Sequence, residues 1–180
     1  MLIEHLGPEG LHIVHDRYYK SLTCAQIRAI DGVNFDHPDA LDTARLIADL
    51  QALQTTGTAL LPCYDFATHK RVGEERVTAR PVVIVEGILV FVAPELRDRM
   101  DLRVFVEAGD AVRLDRRTRR DVATRGRTAD EVVERFANSV RPMHAQFVEP
   151  SKQYADLVLD GTGNLDENVA VVLSQINRLR

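Results

Sequence analysis

The sequence predicts an α/β fold: a parallel β-sheet flanked by helices and interrupted by a β-hairpin. Three observations carry this reading. "VVIVEG" (82–87) and "LRVFVE" (102–107) are apolar, β-branched runs, the pattern of strands buried on both faces. Stretches of helical periodicity alternate with such runs along the chain, as β-α-β units require. Residues 58–80 depart from that plan, with two short extended pieces around a polar centre. The 180 residues, 45% of them hydrophobic, suit one compact domain over 1–180 with a real core.

Taken in order, residues 2–6 read as the end of a helix, closed by Gly7, Pro8 and Gly10. "LHIVH" (11–15) is a short strand that ends at Asp16. Residues 39–55 predict a helix: Asp39 suits its N-cap, apolar positions recur at Leu41, Ala44, Ile47, Ala48 and Leu50, and Gly57 stops it. In the hairpin, "TALLPCYDF" and "ERVTA" flank the polar "ATHKRVGE". A helix over 110–124 carries many arginines, and a second begins near Asp130 and breaks near Pro142. "ADLVLD" (155–160) gives the last strand and 165–179 the last amphipathic helix.

Composition excludes several function classes. A net charge of −4 and a pI near 5.9 argue against bulk attraction to nucleic acid. The most apolar segment, "VVIVEGILVFVA", is interrupted by Glu86 and Gly87 and is too short to span a bilayer, so no membrane partner is expected. The N-terminus shows no basic region followed by an apolar run, so no signal peptide is expected. Cys24 and Cys63 form no CxxC pair; this disfavours a zinc site and fits a reducing cytoplasm.

Four constellations could carry chemistry. Asp16 and Glu86 each follow a core strand, at the sheet edge where α/β proteins bind ligands. Each alone could cap a turn; together they could share a magnesium ion, with one also taking a proton from a hydroxyl. In "NFDHPDALDT" (34–43), Asp36 precedes the Pro38 turn and could accept both hydrogen bonds of a vicinal diol. On the hairpin, Tyr64 and Phe66 share a strand face and could stack on a flat base while His69 bonds its edge; a small apolar minicore is the alternative. Arginine outnumbers lysine 20 to 3, and seven arginines fall between Arg113 and Arg127. Arg113, Arg116, Arg117 and Arg120 share a helix face, and Arg125 and Arg127 follow in "TRGR". They read as a solvated face paired with Asp115 and Asp121, a nucleic-acid patch, or an anion clamp closing on a triphosphate.

Six stretches, "DRYY", "NFDHPDALD", "PCYDFATHKR", "VIVEGIL", "RRDVATRGR" and "VRPMHAQFVEPSKQYAD", together resemble the uridine (uridine–cytidine) kinases in order and spacing, from about residue 10 to 160. The resemblance implies a P-loop NTPase-like fold with a nucleoside-binding hairpin. It implies transfer of phosphate from ATP or GTP, with Mg2+, to the 5′-hydroxyl of uridine or cytidine. It implies Asp16 as catalytic base near the metal and Glu86 as the acidic metal-site residue. Tyr19 and Asp36 then contact the sugar, and Tyr64, Phe66 and His69 the base. Arg117 and Arg127 fall at substrate-contacting positions, and Arg120 and Arg125 at phosphate or lid positions. Homotetramers acting in pyrimidine salvage, and inhibition by UTP and CTP, are common in the family. Arg135 stands where the family usually has glutamine beside the nucleoside.

One family motif has no counterpart. A GxxxxGK[ST] loop, whose backbone N–H groups and lysine hold the donor phosphates, occurs nowhere in the 180 residues. "GPEG" (7–10) is short and lacks lysine, and 1–6 resembles the tail of the helix that follows such a loop. The expectation is a domain without its first central strand and P-loop, roughly twenty to thirty residues of a strand–loop–helix unit. Strands 82–86 and 102–106 should then flank a gap. Two functional expectations follow: a nucleoside kinase, or a relative that binds pyrimidine nucleosides or associates with full-length subunits without turning over.

Overall fold

A computed structural model describes residues 2–30 and 33–180. The chain forms two compact units, Met1–Arg99 and Met100–Arg180. In the first, α1 (Leu2–Leu6) leads through a 3-10 turn into β1 (Gly10–Val14). β1 pairs in parallel with β4 (Val82–Glu86), from Gly10 opposite Val82 to Val14 opposite Glu86. Between them lie α2 (Cys24–Arg28), α3 (Thr43–Thr56) and the antiparallel hairpin of β2 (Thr58–Asp65) and β3 (Lys70–Thr78). A short α4 (Pro94–Arg97) closes the unit. Ile13, Tyr18, Leu46, Leu61 and Leu96 are fully buried and form its core.

The helix expected over 39–55 starts later. Pro38 fixes a 3-10 turn over Pro38–Ala40, and Leu41 is extended and bridges Tyr19. Asp42, not Asp39, is the N-cap: its carboxylate accepts from the Arg45 N–H at 3.1 Å. Gly57, at φ 75, ends the helix in the left-handed conformation that glycine adopts without strain. The hairpin turn is also tighter than the polar stretch suggested. Asp65 accepts from the Ala67 N–H and the Thr68 hydroxyl, and His69 takes φ 54, so β3 begins at Lys70.

In the second unit, β5 (Val104–Glu107) pairs in parallel with β6 (Leu157–Asp160). Helix α5 (Asp110–Arg125) carries the arginines and ends at Gly126, φ 64. α6 (Ala129–Arg135) opens with a capping box between Thr128 and Glu131. Pro142 does not break the helical path that follows. Phe136–Val140 widens into a π turn, then α7 (Arg141–Met143), a second π turn His144–Val148 and α8 (Glu149–Ser151) continue it. A proline lacks the N–H of the α-ladder, and its ring clashes with the carbonyl four residues back. A π turn just before Pro142 and another before Pro150 shift those carbonyls, so both are accommodated. The last helix, α9 (Leu165–Leu179), lies where its periodicity predicted, capped by Asn164. Among the described residues, β4 pairs with β1 alone and β5 with β6 alone.

Candidate active site

The parallel register of β1 and β4 places Asp16 and Glu86 at one sheet edge. Glu86 is the last residue of β4, opposite Val14; Asp16 follows two residues after Val14, in the 3-10 turn His15–Tyr18. Between them the backbone is crowded. A Cβ on Gly87 would come within 2.6 Å of the His15 Cβ, so only glycine fits there. His15 is 1% exposed, and its Nε2 lies 3.3 Å from the Thr43 hydroxyl. Burial lowers its pKa to about 4, so the ring is neutral at pH 7.

Three residues beyond Asp16, Tyr19 enters an aromatic cluster. Its ring lies 5.5 Å from Phe35, 5.6 Å from Tyr64 and 6.5 Å from Phe66. Tyr64 and Phe66 meet edge to face at 5.2 Å, and Phe35 stacks on His69 at 5.1 Å. The structure therefore brings together Tyr19, Tyr64, Phe66 and His69, and adds Phe35. Asp36 follows Phe35, its N–H bonded to the Asn34 side chain at 3.1 Å. Phe66, in the hairpin turn, is 54% exposed. The Tyr64 hydroxyl and His69 Nδ1 are buried without a hydrogen-bond partner. Buried polar atoms are nearly always paired, so these two point to a ligand. A cavity of about 390 Å³ adjoins the cluster through Phe35, with Lys20, Leu22, Asn34, His37 and Ala40 also on its wall.

Two arginines tie the hairpin to the turn that bears Asp16. Arg17 donates to the Pro62 carbonyl at 2.9 Å and to Glu75 at 2.7 Å. Arg71 donates to the carbonyls of Tyr18 and Tyr19 and to Asp42. Beneath them the buried Tyr18 hydroxyl donates to Asp49, which Arg45 also grips at 2.8 Å.

In the second unit the arginine helix resolves into two clusters. Asp121 is 0% exposed, with Arg120 and Arg127 at 2.8 Å, Arg125 at 3.5 Å and Arg117 at 3.7 Å. Burial opposes its ionisation, but the bonded Arg120 guanidinium, with Arg125 and Arg117, outweighs it and holds the carboxyl below the usual range. The four arginines that the resemblance places at substrate and phosphate positions thus converge on one acid, which they outnumber. Closer to the start of α5, Asp110 binds Arg113 and Arg141, whose guanidiniums also lie over the Phe136 ring.

Sequence reasoning did not single out Phe35, Arg71 or the hub role of Asp121. Phe35 and Arg71 lie inside stretches that were singled out, but no periodicity marks their partners. Asp121 is a lone acid among arginines, and only the fold shows it buried.

Parallel strands with acids at their C-terminal edge, a hairpin insertion and an arginine-bearing helix define an α/β protein of the P-loop kinase class. Residues 7–166 match the phosphoribulokinase / uridine kinase family. A uridine kinase of Chloroflexus aurantiacus is 44% identical over 177 residues, 97% of this chain and 85% of the relative. A uridine kinase of Lactococcus lactis is 44% identical over 167 residues, 91% of this chain and 81% of the relative. Phosphoribulokinase from Rhodobacter spheroides superposes with a TM-score of 0.65 at 16% identity, covering 90% of this chain and 66% of that one; at that identity it shows the fold. The chain belongs to the phosphoribulokinase / uridine kinase family, as a uridine-kinase-like enzyme. Among the described residues, no helix is long and apolar enough to cross a membrane.

Proposed function

We propose that the protein is a nucleoside kinase that transfers a phosphoryl group from ATP or GTP to the 5′-hydroxyl of uridine or cytidine, yielding UMP or CMP in pyrimidine salvage. The observation that carries the reading is the aromatic cluster with two buried, unpartnered polar atoms, Tyr64 Oη and His69 Nδ1. A flat heterocycle with a hydrogen-bonding edge supplies both the stacking surface and the missing partners. In this reading Phe35, Tyr64, Phe66 and His69 hold the base, and Tyr19 and Asp36 hold the sugar. Asp16 accepts the 5′-hydroxyl proton as that oxygen bonds to the γ-phosphorus and the nucleoside diphosphate leaves. Arg117 and Arg127 contact substrate, and Arg120 and Arg125 meet phosphoryl oxygens; four guanidiniums around Asp121 leave an excess of positive charge for them.

Magnesium fits the acids present. The ion is commonly held by one or two carboxylates together with waters and substrate phosphates, and Asp16 and Glu86 supply two at one edge. The bound ion would neutralise charge on the transferring phosphates. No residue of these 180 is assigned to a P-loop cradle, because GxxxxGK[ST] does not occur among them. Family membership also supports a cytoplasmic homotetramer, with residues 1–180 acting as one domain.

The test is calorimetric titration of this chain with uridine and cytidine, alongside an assay of UMP formation from uridine, ATP and Mg2+. Both nucleosides should bind, and UMP formation by this chain would select the kinase reading. In a form that carries a GxxxxGK[ST] loop, Asp16→Asn should abolish UMP formation while leaving uridine affinity within a few-fold, because a base acts in the transition state. Absence of uridine binding overturns the reading. Binding without turnover selects the second reading, a nucleoside-binding relative that associates with full-length subunits, which the lack of GxxxxGK[ST] in this sequence favours.

A further inference from the structure

Arg71 is the second residue of β3, and its side chain reaches out of the hairpin. Its Nε donates to the Tyr19 carbonyl at 3.1 Å and its Nη2 to the Tyr18 carbonyl at 3.0 Å. Those carbonyls lie at the end of the 3-10 turn that carries Asp16. The same Nη2 lies 3.1 Å from the Asp42 carboxylate, so a charge fixes the guanidinium in place. Asp42 caps α3 and donates its own N–H to the Tyr18 carbonyl at 2.8 Å. Backbone contacts extend the seam: the Arg71 N–H donates to the Ser21 hydroxyl, and the Leu22 N–H donates to the His69 carbonyl.

We propose that Arg71 is a positioning residue of the nucleoside site. It fixes the Asp16–Tyr19 turn against the hairpin that carries Tyr64, Phe66 and His69, so the sugar side and the base side of the site keep one spacing. The inference rests on the proposed nucleoside function. A planar guanidinium presents several donors in a rigid fork, and here it serves two carbonyls and a carboxylate together. A lysine ammonium is a point charge on a flexible stem and cannot reproduce that geometry.

Uridine titrations of the wild-type chain and of Arg71→Ala, Arg71→Lys and Arg76→Ala test this, with circular dichroism and thermal melts as folding controls. Arg71→Ala and Arg71→Lys should weaken uridine binding about tenfold or more, as expected for lost charge-assisted hydrogen bonds. Millimolar guanidinium should restore Arg71→Ala and leave Arg71→Lys weak. Arg76→Ala, exposed on the same strand, should bind like the wild type. If Arg71→Ala fails to fold, Arg71→Lys decides. Wild-type affinity in the folded Arg71 variants, or weakened affinity that guanidinium does not restore, overturns the inference alone. Failure of the wild type to bind uridine overturns the functional reading, and this inference with it.

Discussion

The Tyr64 hydroxyl is buried without a partner, and burial raises its pKa, opposed by Arg71 and aided by Asp65. It is therefore a protonated donor near neutral pH. A buried polar group left unpaired costs about 1–3 kcal/mol, so removing this one should not harm the free protein. Tyr64→Phe should melt at or above the wild-type temperature yet bind uridine about 5- to 20-fold more weakly. Loss of both stability and affinity would mean the hydroxyl serves the fold. His15, next to Asp16, has the opposite signature. Its folded pKa, about 4, lies below the ordinary 6.5, so the unfolded chain binds the proton first as pH falls. The stabilisation is complete above pH 6.5 and declines towards pH 4, by about 1.4 kcal/mol per unit. Urea midpoints at pH 7, 6 and 5 should fall accordingly, and His15→Gln should flatten that slope. Of these two residues, the sequence marked Tyr64 through its spacing from Phe66. His15 was invisible as a titrating group because its burial comes from the fold, which packs Gly87, just after β4, against it.

At the scale of elements, periodicity located α5, α9, the hairpin and all four parallel strands, because each buries one face or two and the pattern records it. It misplaced the start of α3 and the supposed break at Pro142. Both errors concern local backbone chemistry. Asp39 and Asp42 are equally good caps on paper, but Pro38 commits 38–40 to a turn of its own, and the Tyr19–Leu41 bridge extends the chain before Asp42. Asp42→Ala should cost about 1–2 kcal/mol through the lost cap, and Asp39→Ala under about 0.5 kcal/mol. Equal effects in chemical denaturation would reverse the assignment. Helix α5 makes a second case. Charge patterning left its arginines as a solvated face, a nucleic-acid patch or an anion clamp, whereas burial of Asp121 gathers four of them into one nest. Asp121→Asn keeps the shape and removes the charge. It should destabilise the protein by about 1–3 kcal/mol, less than a fully buried pair, because the arginines reach water. Thermal or urea unfolding reads that loss directly, and an unchanged midpoint would show that the arginines need no central acid.

At the scale of the molecule, the strand pattern has a consequence for behaviour in solution. Parallel strands normally belong to larger sheets with paired edges, since a two-stranded parallel pair leaves a full row of backbone donors and acceptors on each side. Here β1 and β4 form such a pair, as do β5 and β6, and no further strand joins either among the described residues. Natural edge strands are protected by charge, proline or bulges, yet β4 reads Val-Val-Ile-Val-Glu and its Val83 is exposed. An unprotected apolar edge recruits strands from neighbouring chains. The purified chain should therefore associate as its concentration rises, with a light-scattering mass above that of a monomer. Val83→Lys places a charge on that edge strand and should shift the onset to higher concentration, about tenfold if one lysine costs each contact about 1.4 kcal/mol. A chain that stays monomeric at high concentration, or a variant that associates like the wild type, would show that the β4 edge is covered in solution.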